Sequence, residues 1–300
     1  MKRYLILASL WFAVAIGIIY FLVGALRCDA GGPQCFGMSS TSLVREEYFS
    51  VEEIDRIEAK LYFYDVRIFP TDDDRFRVRV YDYKKTKHGT VQVNVSDKTL
   101  HLVSERKQPR AVFFIGIQTG SPSIEIEVPK NAVKRLNEKS DPLHLCAISV
   151  ESSSFDISLE NIVVGNVDIA TKSGDIRLHD CTVKNNFACV TTSGDIRGTA
   201  SFNNFTITTR SGDCRLDLIS EPIGESSFES SSGDFRVRLP ESISGFTVHF
   251  HSHSGDYRNR FTGVSAEKNT DDRYKDGGAT INIKTSSGDC TIGKMDVLTF

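Results

Sequence analysis

Five arginines, Arg177, Arg197, Arg215, Arg236 and Arg258, each stand two residues after the aspartate of a Ser-Gly-Asp tripeptide. A guanidinium is a planar fork of donors that matches carboxylate or phosphate oxygens two at a time, so a regular series of them suits an anionic polymer or acidic glycan. The competing reading is that each arginine pairs with a nearby carboxylate and only relieves repulsion along the column, a common and weak surface arrangement. The aspartates themselves, Asp175, Asp195, Asp213, Asp234, Asp256 and Asp289, invite comparison with calcium-binding repeats. Calcium takes about six to eight oxygens, and one aspartate per repeat beside an arginine supplies too few, so capping a chain corner is the expected role. His249, His251 and His253 alternate along one segment and would share a strand face, where imidazoles can chelate a transition metal. They are a secondary candidate, because equivalent places in other repeats hold Asp168, Thr206 and Lys284. No metal or other cofactor is expected. The chain carries no nucleotide-binding glycine loop, nucleophile elbow or zinc-protease motif, so no catalytic residue is assigned.

The elements that must position these residues follow from the spacing. The tripeptides end at Asp175, Asp195, Asp213, Asp234, Asp256 and Asp289, so successive aspartates are 20, 18, 21, 22 and 33 residues apart. A period near 20 is that of a solenoid rung. Before each aspartate, positions −8 and −6 are apolar (Val167 and Ile169, Phe205 and Ile207, Ile281 and Ile283), with Ser226 as the one lapse. Position −4 is always Ser or Thr: Thr171, Thr191, Thr209, Ser230, Ser252 and Thr285. After the aspartate, +1 is Ile176, Ile196, Cys214, Phe235, Tyr257 or Cys290, and Leu178, Leu216, Val237 and Ile292 are apolar at +3. Alternation with period two predicts strands with one buried face. Its parity changes at the tripeptide, so the tripeptide is a corner. Gly174, Gly194, Gly212, Gly233, Gly255 and Gly288 are expected to supply positive φ there.

Worn copies lie upstream, at Ile148 and Val150 before Asp156 and at Ile57 and Ala59 before Asp65. Between them, strands are predicted at 75–81, 91–95, 99–103, 112–117 and 123–128. The polar insert over 259–278 reads as a loop off one edge. Cys189, Cys214 and Cys290 fall at inward positions and are read as small buried hydrophobes.

The chain starts with Met1-Lys2-Arg3, followed by an uncharged apolar run over 4–26. As a helix those residues span about 34 Å, enough to cross a hydrocarbon core of about 30 Å. Lys2 and Arg3 place residues 1–3 in the cytoplasm and the rest outside it; a cleaved signal peptide is the alternative. Residues 27–46 read as a stalk, in which Cys28 and Cys35 suit a small disulfide loop. Residues 47–300 read as one exported β body. With 36 Lys and Arg against 39 Asp and Glu, the net charge of −3 argues against nucleic acid as the partner.

The series T-x-S-G-D-apolar-R resembles the bacterial "putative adhesin" domain family, a family of unknown function related to β-helical head-domain adhesins. The likeness is clear over about 140–292 and fainter over 47–139. It implies an exported, membrane-anchored β-helix and carries no catalytic residues to transfer. The expectation is an all-β, single-domain β-solenoid of about 20 residues per rung behind one N-terminal transmembrane helix. Its expected work is non-enzymatic: an adhesin-like or envelope-binding scaffold whose partners are the membrane, through that helix, and an anionic envelope polymer, glycan or surface protein. The alternatives are a carbohydrate-active enzyme on acidic polysaccharide and an envelope-stress sensing component.

Overall fold

A computed structural model describes residues 39–83, 91–104, 118–119, 121–130, 132 and 145–295. The expected anchor over 4–26, the Cys28–Cys35 loop and the strand expected over 112–117 lie outside the described residues. Among the described residues, no helix is long and apolar enough to cross a membrane. The chain is all-β, an open sheet wound into a stack of rungs. The tail of the expected stalk is not a spacer: Ser39–Ser50 is a strand, antiparallel to Arg75–Tyr83.

Each rung has a strand before the corner and a strand after it. Before the corner, Arg56–Leu61, Ala147–Ser152 and Val163–Ala170 stack in parallel, then the ends of Ile176–Val190 and Ile196–Thr208, then Glu225–Ser230. After it, Asp65–Thr71 and Ile157–Glu160 are followed by the starts of the same two long strands, then Cys214–Leu218 and Phe235–Pro240. The period-two pattern becomes burial: Val167, Ile169, Ile176 and Leu178 all point inward from one rung, and their equivalents stack above and below. Phenylalanines stack within the core, Phe187 on Phe202 and Phe228 on Phe235, each at 4.7 Å between ring centres. Ser226, the lapse in the pattern, is buried, and its hydroxyl accepts from the Phe205 N–H at 3.1 Å.

The last two rungs are stacked out of chain order. Ala279–Thr285 lies between Glu225–Ser230 and Gly245–Ser252, and Cys290–Met295 lies between Phe235–Pro240 and Asp256–Asn259. After Phe235–Pro240 the chain skips one place, builds the outermost rung and returns to fill the gap. The insert makes that return possible. It is not a loose loop: Thr270–Lys275 runs antiparallel to Gly245–Ser252 and Ser265–Glu267 antiparallel to Asp256–Asn259. Beneath this cap the buried Asp272 carboxylate accepts from the Tyr257 hydroxyl at 2.8 Å, the Asn259 amide at 2.7 Å and the Thr262 hydroxyl at 2.8 Å.

The opposite end is closed in the same manner. Val91–Ser96 covers Thr99–Ser104 and Arg75–Tyr83 covers Ser123–Pro129, both antiparallel. The Tyr64 hydroxyl donates to buried Asp82 at 2.9 Å, an echo of the Tyr257–Asp272 pair. Antiparallel strands at both ends cover the stack's open parallel edges, which would otherwise template further strand addition.

Candidate binding face

The corner shows what the repeated residues do. Each aspartate carboxylate accepts, through Oδ1, from the backbone N–H of the next aspartate in the stack. Asp65 accepts from Asp156 at 3.0 Å, Asp156 from Asp175 at 2.9 Å, Asp175 from Asp195 at 3.1 Å and Asp195 from Asp213 at 2.9 Å. The series continues from Asp213 to Asp234 at 3.1 Å, from Asp234 to Asp289 at 2.9 Å and from Asp289 to Asp256 at 2.9 Å. The Ser or Thr at −4 accepts from the corner glycine N–H within its own rung, as Thr191 does from Gly194 at 3.1 Å. The −4 hydroxyl thus caps the corner within a rung, and the aspartate reaches across to the next rung rather than within its own.

The glycines act differently from expectation. None of Gly174, Gly194, Gly212, Gly233, Gly255 and Gly288 has φ in the left-handed region; Gly198, Gly263 and Gly277 do. What requires glycine at the corner is the neighbouring rung. A Cβ on Gly194 would sit 1.9 Å from the Gly174 carbonyl oxygen, and one on Gly212 2.0 Å from that of Gly194. The same contact recurs up the column, ending at Gly255 against Gly288. The corner glycines let consecutive rungs approach within hydrogen-bonding distance.

The arginines point out from the strands that follow the corner. Arg177 pairs with Asp156 at 2.6 Å and Asp175 at 3.2 Å, Arg215 with Asp213 at 2.9 Å, and Arg236 with Asp234 at 3.6 Å. Arg197 pairs with Asp195. Arg258 has no ion-pair partner among the described residues. The inverted stacking also breaks the column: Arg236 is in register with Thr291, and Thr291 with Arg258. A groove of about 460 Å³ opens on this face, lined by Arg197, Arg215, Arg236, Arg238, Arg260 and Lys294 around Thr291 and Gly293. Arg238 and Arg260 escaped the sequence reading, although both lie four residues after a corner aspartate, on the outward parity of the series.

The histidines are on the other outer face. His249 Nδ1 lies 2.6 Å from Asp271 of the cap. His251 stands in register with Lys284, which itself neighbours Glu229, so the inserted rung places an ammonium where chain order would have put a carboxylate. His251 and His253 line a polar cleft of about 540 Å³ together with Lys268, Lys284 and Glu229. Among the described residues no group of three or more His, Cys, Asp or Glu is placed to hold a metal ion. The inward cysteines Cys189, Cys214 and Cys290 are buried and unpaired. Burial pushes all three thiols up, and that of Cys181 to about 11, so they pack as hydrophobes.

Residues 54–293 match the model of the Toastrack DUF4097 family. The chain belongs to that family. The family likeness read from the repeat is met by this match, and several solved structures similar to the chain are named as adhesins. One is a "putative cell adhesion protein" from Clostridium sporogenes ATCC 15579, 13% identical over 85% of this chain and 100% of that one, with a TM-score of 0.39. A "putative adhesin" from Bacteroides fragilis NCTC 9343 is 12% identical over 83% of this chain and 97% of that one, with a TM-score of 0.40. A "putative lipid binding protein" from Parabacteroides distasonis ATCC 8503 is 13% identical over 82% and 96%, with a TM-score of 0.37. No curated protein matches the chain.

Proposed function

We propose that this Toastrack chain is a non-enzymatic, adhesin-like binding module, held outside the cytoplasm by the apolar segment over 4–26. The observation that carries this reading is the corner ladder. The repeat spends its aspartates as acceptors for the next rung's backbone N–H, from Asp65 to Asp256, and that makes a rigid rod rather than a reactive site. A polysaccharide hydrolase would need a carboxylate free to act as acid or base. In the groove, Asp217 is instead clasped through both oxygens by Arg238.

The full-length chain, purified in detergent micelles and applied to an array of envelope polysaccharides and surface proteins, is expected to be captured without cleaving what captures it. New reducing ends or unsaturated sugars would replace the reading with an enzymatic one, and capture by nothing on the array would remove it. Protease added outside intact cells is expected to digest the β body while an N-terminal tag stays protected. Full protection of the body would refute the placement.

A further inference from the structure

We infer that the groove around Thr291 and Gly293 binds a linear acidic polysaccharide; this rests on the binding-module reading and names its ligand class. The inverted rung order builds the site. Had the rungs followed the chain, Arg258 would stand directly beside Arg236 and continue the column. Instead the rung at Cys290–Met295 puts the short Thr291 and Gly293 between them. With strands about 4.8 Å apart, two arginines on either side of that rung are roughly 10 Å apart, a separation that suits anionic groups spaced along a sugar chain rather than a single small anion.

Charge favours the same ligand. The chain as a whole is net negative at −3, yet the groove is lined by six cationic side chains and one carboxylate, Asp217. Arg238 is occupied by Asp217, and Lys294 lies 3.7 Å from Glu241 and over the Phe261 ring at 5.5 Å. Arg258 and Arg260 are exposed and make no ion pair among the described residues. Both belong to the outermost rung, where the aspartate ladder ends at Asp256. Arg260 lines the groove and Arg258 stands in register with its Thr291, so two uncommitted guanidinium groups offer bidentate contacts to sulfate or carboxylate without first breaking an ion pair. Gly293 keeps the passage narrow but open: a Cβ there would press on the Arg238 side chain at 3.1 Å.

The test measures binding of the full-length chain to heparin, which offers sulfate and carboxylate, and to polygalacturonate, which offers carboxylate alone, with dextran as the neutral control. Both acidic polymers are expected to bind with an affinity that falls as salt is added. The double variant Arg258→Ser/Arg260→Ser is expected to lose about tenfold in affinity, while Arg75→Ser, in the antiparallel strand at the opposite end of the stack, leaves it unchanged. Thermal unfolding unchanged in both variants keeps a folding defect out of the comparison. Heparin binding without polygalacturonate binding would support the site and assign it to sulfate. Equal losses in the two variants, or no loss in the double variant, would overturn it. Neither polymer binding at low salt, while the array captures a neutral glycan or a protein, would overturn this inference and leave the module reading intact. No capture of any kind removes both.

Discussion

The corner and the arginine column lie two residues apart in the same repeat and obey opposite rules. At the corner, backbone approaches backbone, and every rung must solve the same stereochemical problem. Glycine, aspartate and a −4 hydroxyl therefore recur from Thr171–Asp175 to Thr285–Asp289. Two residues later the side chains face solvent, and the column tolerates Ser158 beside Arg177 and Thr291 beside Arg236. Repetition at the corner is a condition of stacking. Repetition of arginine is a choice that the outermost rungs then modify. The contrast is best broken at the corner.

Gly212→Ala is expected to have the largest effect. Its Cβ would lie 2.0 Å from the Gly194 carbonyl oxygen, a backbone atom fixed by the rung below. Prying two rungs apart costs more than ordinary overpacking, upwards of about 3 kcal/mol, read as a fall in the urea midpoint or a failure to fold. Gly263→Ala sharpens the point. Gly263 has φ of +77° and nothing within 4 Å of the added atom, so only the backbone penalty of about 1–2 kcal/mol applies. A smaller loss at Gly212 than at Gly263 would mean that conformational freedom, not close approach, governs the corner.

Asp213→Ala comes next. It removes the acceptor for the Asp234 N–H, at 3.1 Å, and the partner of Arg215. Leaving that donor unpaired between rungs should cost about 1–3 kcal/mol. Asp213→Asn keeps a carbonyl oxygen and is expected to recover most of it. Equal losses for both would show that the charge, rather than the hydrogen bond, does the stabilising.

These two positions also show how much could be read from the sequence. Period-two burial was legible because a solenoid rung must hide one face of each strand, so Val167, Ile169, Ile176 and Leu178 announce themselves. That glycine is needed at the corner was legible too, but its reason was not: a left-handed turn and a close contact both demand a missing side chain. Rung order was illegible for a different cause. Ile281 and Ile283 stack against Ser226 and Phe228 in the actual order, and Val248 and Phe250 would have made an equally apolar neighbour. Nothing local to a strand distinguishes the two stackings. The return strands over 259–278 decide it, and their polar residues look like any surface loop until Asp272 is found buried beneath Tyr257 and Asn259. Because order was hidden, so was the meeting of Thr291, Gly293 and Lys294 with Arg236, Arg238 and Arg260 in one groove, since these belong to rungs stacked out of chain order.

On the outer face, effects should be smaller and should depend on pH. Arg67 clasps Glu160 through Nε and Nη2, at 2.7 Å each, and this holds the Glu160 carboxyl below its ordinary 4.5. A carboxyl whose pKa is lower in the folded chain stabilises the fold at pH values above the unfolded value and loses that contribution as pH falls through the folded one. The urea midpoint of the wild-type chain is therefore expected to decline below pH 4.5 more steeply than that of Glu160→Gln. Parallel declines would show that the pair is idle.

The smallest effect is expected at Arg215→Ser. Its ion pair with Asp213, at 2.9 Å, lies on an exposed surface with the arginine side chain 45% accessible. Such pairs contribute little once screening and side-chain ordering are counted, so stability should change by no more than about 0.5 kcal/mol. Asp213 Oδ1 stays bonded to the Asp234 N–H whether or not the guanidinium is present, because Arg215 approaches the other oxygen. The arginine is thus dispensable to the ladder that carries it, unlike the aspartate two residues before. A loss comparable to that of Asp213→Ala would erase the distinction between corner and face, and would make the arginine column part of the scaffold instead of a surface free to meet a ligand.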